Sequence, residues 1–147
     1  MTEMETTYDG LPIARDNPRF CCVVVYRETK DGREVLLMHR CTDGPSYEGE
    51  WAWTPPAGGR FPGEAVADCA QRELQEETGL ALPLRHAPCE NEVCAVYVAR
   101  VDASMEIILN EEHDRFEWVS PAEAMVRCTP DVVAGEIRAA MALLDGS

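Results

Sequence analysis

The sequence predicts one domain of the α/β or α+β kind, and three observations carry that reading. Its 147 residues suit a single domain with a sizeable core. Short β-branched runs and helical patterns interleave along the chain. With 46% hydrophobic and 27% charged residues, it has the balance of an ordinary soluble globular protein.

The elements follow in order. Residues 1–17 carry polar groups with Gly10 and Pro12 and read as an irregular arm, leaving 18–147 as the domain. Phe20 to Tyr26 is apolar on both faces, the mark of a buried strand. A turn around Asp31-Gly32 leads into a second strand, Val35 to His39, so the pair reads as a hairpin. The loop CTDGPSYEGE follows, and Trp51 to Pro55 is a short aromatic strand stopped by Pro55-Pro56. AGGRFPGE reads as a glycine-rich loop. Ala65 to Thr78 is the strongest helix, with Glu64 at its start and Gly79 ending it. Val93 to Val101 and Glu117 to Val119 are further strands, and Pro121 opens a short helix. Asp131 to Leu144 is a terminal helix with an apolar stripe of Val132, Val133, Ile137, Ala140, Met141 and Leu144.

Charge narrows the function. Against 27 acidic residues stand 13 basic ones, a net charge of −14 with no basic run, which excludes a protein that tracks a nucleic-acid backbone. The longest apolar run is too short to cross a bilayer, so no membrane partner is expected. The seven cysteines form no C-x-x-C, and MTEMETTYDG lacks a secretory leader. A reducing, cytoplasmic location is expected, with most thiols acting as small hydrophobes. His86, Cys89 and Cys94 have the residue types for zinc, but their spacing matches no common zinc pattern.

RELQEETGL, residues 72–80, is the informative stretch. On a helix, Glu73, Glu76 and Glu77 fall within about a third of the circumference. Like charges so spaced repel. Carboxylates converging without lysine suit a hard divalent cation, Mg²⁺ with Mn²⁺ as the alternative. The plain alternative is a solvated glutamate face. Upstream, Gly58, Gly59 and Gly63 make a loop that allows close backbone approach.

The full string, GGRFPGEAVADCAQRELQEETGL, resembles the Nudix hydrolase signature. Every specified position is filled: Gly58, Glu64, Arg72, Glu73, Leu74, Glu76, Glu77, Gly79 and Leu80. The resemblance implies an α/β/α sandwich around a mixed β-sheet. It also implies hydrolysis of a phosphoanhydride in a nucleoside diphosphate linked to another moiety. Glu76 and Glu77 would be metal ligands, Glu73 a ligand or the base, and Arg72 its orienter. Glu64 would complete the acidic site or pair with Arg72, and Ala57 would offer its carbonyl to the metal.

Relatives of this kind often draw one more acid from a later loop, and NEEHDRFEWVS offers Glu112, with Glu111 and Glu117 competing and His113 beside them. Trp51, Trp53, Tyr47 and Phe61 flank the signature loop as stacking candidates, Trp53 reading more as core. Arg40, Arg60 and Arg19 are candidates to hold phosphate. Asp68 and Gln75 read as surface.

The resemblance points to a nucleoside or pteridine triphosphate, or a dinucleoside polyphosphate, as the small-molecule partner of a monomer or homodimer. The alternatives are an ADP-sugar pyrophosphatase, against which the short N-terminal arm argues, and a nucleotide-binding regulator without catalysis.

Overall fold

The computed structural model describes residue 6 and residues 10–102 and 104–146. Among the described residues, seven strands and three helices follow in order: β1 (Phe20–Thr29), β2 (Gly32–Arg40), β3 (Trp53–Thr54), β4 (Ala57–Gly59), α1 (Val66–Thr78), β5 (Arg85–Ala87), β6 (Cys94–Arg100), β7 (His113–Val119), α2 (Pro121–Arg127) and α3 (Asp131–Asp145). The strands form one mixed sheet in the order β3-β2-β1-β6-β5, with β4 beside β1 and β7 beside β2. Only β1 and β6 run parallel among these pairings.

Alternation along β1 builds two cores. Cys21, Val23 and Val25 point to one side and meet Cys69, Ala70 and Leu74 of α1. Cys22 and Val24 point to the other, where Ala124 of α2 and Val133, Ile137 and Ala140 of α3 cover them. A strand buried on both faces must be apolar at every position, which explains the run in FCCVVVY. Burying Leu74 alone contributes about 2 kcal/mol. The result is an α/β/α sandwich.

The structure extends or adds elements where side-chain pattern carries no signal. β1 and β2 run on to a tight turn at Lys30 and Asp31. The start of the glycine-rich loop, Ala57–Gly59, is a strand, because it completes the ladder beside Phe20–Cys22. β5 has three residues, too few to show a period. β7 begins at His113 rather than Glu117, pairing along β2 despite its polar residues. α1 ends as expected: Gly79 takes φ 77° and its N–H donates to Gln75. The arm does not hang loose at its end. Ile13 and Ala14 are buried, and the Ala14 N–H donates to the Arg60 carbonyl.

The cysteines depart from the thiol expectation at one pair: Cys21 and Cys69 are joined as a disulfide between β1 and α1. Their side chains project into the same interface, so 48 residues of separation collapse to contact. Cys22, Cys94 and Cys128 are buried thiols, as the sequence led one to expect. Among the described residues, no helix is long and apolar enough to cross a membrane.

Candidate active site

The loop from β4 into α1 and the exposed edge of α1 make one acidic centre. Gly58 packs directly on Glu73, and a Cβ at Gly58 would collide with the Glu73 carboxylate. That contact is why glycine stands at the first signature position. One residue earlier, the Ala57 N–H donates to Glu77 Oε1 at 3.1 Å. The short β4 ladder therefore fixes the backbone against which both carboxylates rest.

Arg72 braces the centre. Its Nε and Nη2 donate to the two oxygens of Glu64, both at 2.9 Å, in a forked pair. Nη1 donates to Glu73 Oε2 at 2.9 Å and reaches Glu76 Oε1 at 3.5 Å. Nη2 also bonds the Gly59 carbonyl, and the guanidinium lies over the Phe61 ring, 3.9 Å from its centroid. The Phe61 N–H in turn donates to Glu64 Oε1. Held this way, Arg72 is still harder to deprotonate, and it pulls Glu64 below the usual carboxylate range.

Glu73 and Glu77 are the anomaly. Only 5% and 2% exposed, they touch each other with one guanidinium nearby. Burial pushes Glu73 up to about 7, against the pull of Arg72. Burial raises Glu77 as well, and the charges of Glu73 and Glu112 raise it further, while the Ala57 N–H works the other way. Two adjacent carboxyls in a dry site cannot both ionise cheaply without a cation. Glu76, one position along, stays exposed at the rim. Glu112, in the loop just before β7, is close enough for its charge to act on Glu77. Its backbone carbonyl accepts the Cys41 N–H, which ties the β7 loop to the end of β2.

This donor set fits a divalent cation. It is all oxygen, two of its carboxyls are buried side by side, and Gly58 lets the backbone approach them. Glu73, Glu76, Glu77 and the Ala57 backbone would hold it.

Residues 16–140 match the family model described as the NUDIX domain. The chain belongs to the Nudix family. It is 33% identical over 124 residues to the asymmetrical bis(5'-nucleosyl)-tetraphosphatase of Rattus norvegicus, covering 72% of this chain and 81% of that protein. It is 30% identical over 106 residues to the nucleoside triphosphatase NudI of Escherichia fergusonii, covering 60% and 74%. An octanoyltransferase of Myxococcus xanthus is 36% identical over 135 residues, or 83% of this chain, but the chain spans 36% of that protein's length. Among solved structures, a C. elegans Ap4A hydrolase complex superposes with TM-score 0.69 at 23% identity, over 87% of this chain and 98% of that one. The Nudix hydrolase RenU of M. smegmatis gives 0.71 at 20% identity, over 95% and 93%. These two show the fold. The chain therefore carries a Nudix hydrolase domain of the α/β/α type.

Within this Nudix site, some expected residues take other work. Arg60 does not face a ligand: it is 5% exposed, and its guanidinium bonds the carbonyls of Pro18, Asp16 and Glu64 and the Asp16 carboxylate. It clamps the arm. Glu64 gives both its oxygens to Arg72, the second of the two places the sequence offered it. One face of Phe61 is covered by Arg72 rather than open to a base. Trp53 is core, with its indole N–H donating to Glu48 and Arg127 stacked 4.2 Å from the ring centroid. Tyr47 is half-buried and packs on that core, and Arg19 turns to the Ala14 carbonyl.

His113 is buried with its pKa lowered to about 4 by burial and then by Arg40, so its ring stays neutral. Asp68 and Gln75 lie on the surface. Trp51 is 43% exposed, held at φ 68° with its N–H on the Thr129 carbonyl. Its neighbour Ala52 accepts the Arg40 N–H, which sets Trp51 beside the end of β2.

The backbone partners in this site, Ala57 N–H to Glu77 and Gly59 carbonyl to Arg72, were not readable from side-chain types. The unusual density of glycine before α1 is the signal that backbone takes part.

Proposed function

We propose that the domain hydrolyses a phosphoanhydride bond in a polyphosphate attached to a nucleoside, in the cytoplasm, with Mg²⁺ as the ion. The observation that supports this most is the buried Glu73–Glu77 pair, braced by Arg72 and faced by Glu112. A polyphosphate brings further negative charge to these acids, so substrate and cation must enter together. When bound, the ion neutralises phosphate oxygens and lowers the pKa of coordinated water.

The residues divide the remaining work. Glu73, Glu76, Glu77 and the Ala57 carbonyl would hold the ion. Arg72 occupies Glu73 Oε2 and so leaves Glu73 as an oriented ligand rather than the base. Glu112, half-exposed and outside that clamp, takes the proton from the attacking water. Arg40 and Trp51, at the end of β2, receive the phosphate chain and the base.

The names of the relatives favour nucleoside triphosphates and dinucleoside polyphosphates as substrates. The test is a panel of these with pteridine triphosphates and ADP-sugars, incubated with Mg²⁺ and read by mass spectrometry in ¹⁸O-labelled water. Label in a phosphate product of a nucleotide is expected. Tight binding with no labelled product from any compound would overturn the reading in favour of a binding regulator.

A further inference from the structure

On the sheet face opposite α1, one acid breaks an apolar rule. α3 buries Val133, Ala134, Ile137, Ala140 and Met141, and Glu136 lies in the same stripe, 7% exposed. The other acids of α3 behave conventionally: Asp131 pairs with Arg138, and Asp145 pairs with Arg33, both at the surface. Among the described residues Glu136 takes part in no ion pair. Its carboxyl lies beside the thiols of Cys22 and Cys94, and the Cys94 thiol donates to the Ala95 carbonyl at 3.7 Å. A carboxyl and two thiols thus meet in an otherwise apolar core.

We infer that Cys22, Cys94 and Glu136 form a second metal site, selective for Zn²⁺ or a similar borderline divalent ion over Mg²⁺. The three ligand atoms already lie within 4.8 Å of one another. A tetrahedral zinc with sulfur at about 2.3 Å sets its sulfurs roughly 3.8 Å apart, so only a small contraction is needed.

The scaffold is rigid. In the parallel β1–β6 ladder, Phe20 pairs with Cys94 and Cys22 with Val96, which makes Cys22 and Cys94 diagonal neighbours on one face. α3 brings Glu136 to them. Two sulfurs and one oxygen select a softer ion than the all-oxygen centre at α1 does. A cavity of about 150 Å³ lined by Pro18, His86, Cys89, Asn91, Glu92 and Cys94 borders the cluster at Cys94. The ion enters as the thiol protons leave to solvent. Its effect is to staple β1, β6 and α3. The three ligands come from positions 22, 94 and 136, so no local motif announces them; His86, which sequence grouped with Cys94, meets the Tyr97 ring edge-on instead.

Cobalt reports the site directly, because thiolate ligands give Co²⁺ an intense near-ultraviolet charge-transfer band and oxygen ligands do not. The full chain is titrated with Co²⁺ anaerobically, without added reductant and with excess Mg²⁺ to fill the carboxylate centre. About one equivalent should produce the thiolate band and raise the melting temperature. Cys22→Ser should abolish the band, and Glu136→Gln, which keeps volume and hydrogen bonding, should weaken binding on the order of tenfold. Cys89→Ser should leave it unchanged. Should Cys22→Ser not fold, Glu136→Gln decides. The inference fails if the parent chain gives no thiolate band, if Glu136→Gln binds as tightly as the parent, or if the band follows Cys89 instead.

Discussion

Arg72 and Glu64 are joined by two parallel N–H···O bonds of 2.9 Å, and the same guanidinium holds Glu73 at 2.9 Å. Eight residues apart in sequence, Arg72 and Glu64 make a brace between the loop and the helix. The pairing occupies both oxygens of Glu64 and sets the same guanidinium on Glu73. It is a positioning device, and its worth depends on fork geometry rather than on charge alone.

Arg72→Lys keeps the charge but loses the fork. A displacement of about 1 Å at Glu73 is enough to cost about 10²-fold in kcat. The expected outcome is that loss, with KM little changed and the melting temperature within a few degrees. Full kcat in the lysine variant would show that the fork is not needed.

The buried acids make the metal-free protein sensitive to pH. Glu73 rises from 4.5 to about 7 on burial, and Glu136 does the same on the other face. Between these values the folded state keeps protons that the unfolded chain has released, so stability falls as pH rises. The contribution is full below about 4.5 and lost as pH passes about 7. In EDTA the melting temperature should decline across that window, less steeply in Glu73→Gln. Adding Mg²⁺ should restore stability at the upper end. A flat profile in EDTA would contradict the buried-carboxylate account.

Arg60→Ala separates structure from substrate binding. The substitution leaves the carbonyls of Pro18, Asp16 and Glu64 without their donor, a loss of about 3 kcal/mol. The melting temperature should drop, with KM for nucleotide unchanged. A raised KM at unchanged stability would return Arg60 to the phosphate.

The Cys21–Cys69 link predicts a thiol count. In denaturant without reductant, a thiol reagent should find five reactive cysteines, Cys22, Cys41, Cys89, Cys94 and Cys128. Reduction should raise the number to seven. Seven before reduction would show the pair open.

How far the sequence reached follows from the range of the interactions. α1 and its stop at Gly79 were legible because capping and periodicity are local. The acidic face was legible because Glu73, Glu76 and Glu77 share one helix. β4 was not, since three glycine-rich residues become a strand only against Phe20–Cys22. Nor was the destination of Arg60, which the buried end of the arm decides. Glu136 carries no sequence signal of its own, and only the packing of α3 on β1 and β6 brings it to two thiols.

The central claim rests on Glu77, the most deeply buried acid of the centre. Parent and Glu77→Gln are compared on the cleaved nucleotide with saturating Mg²⁺, after circular dichroism shows the same fold. Glutamine can still accept the Ala57 N–H, so the backbone contact is preserved. The account predicts a fall in kcat of about 10³ or more. A Glu77→Gln protein turning over within a few-fold of the parent would contradict it.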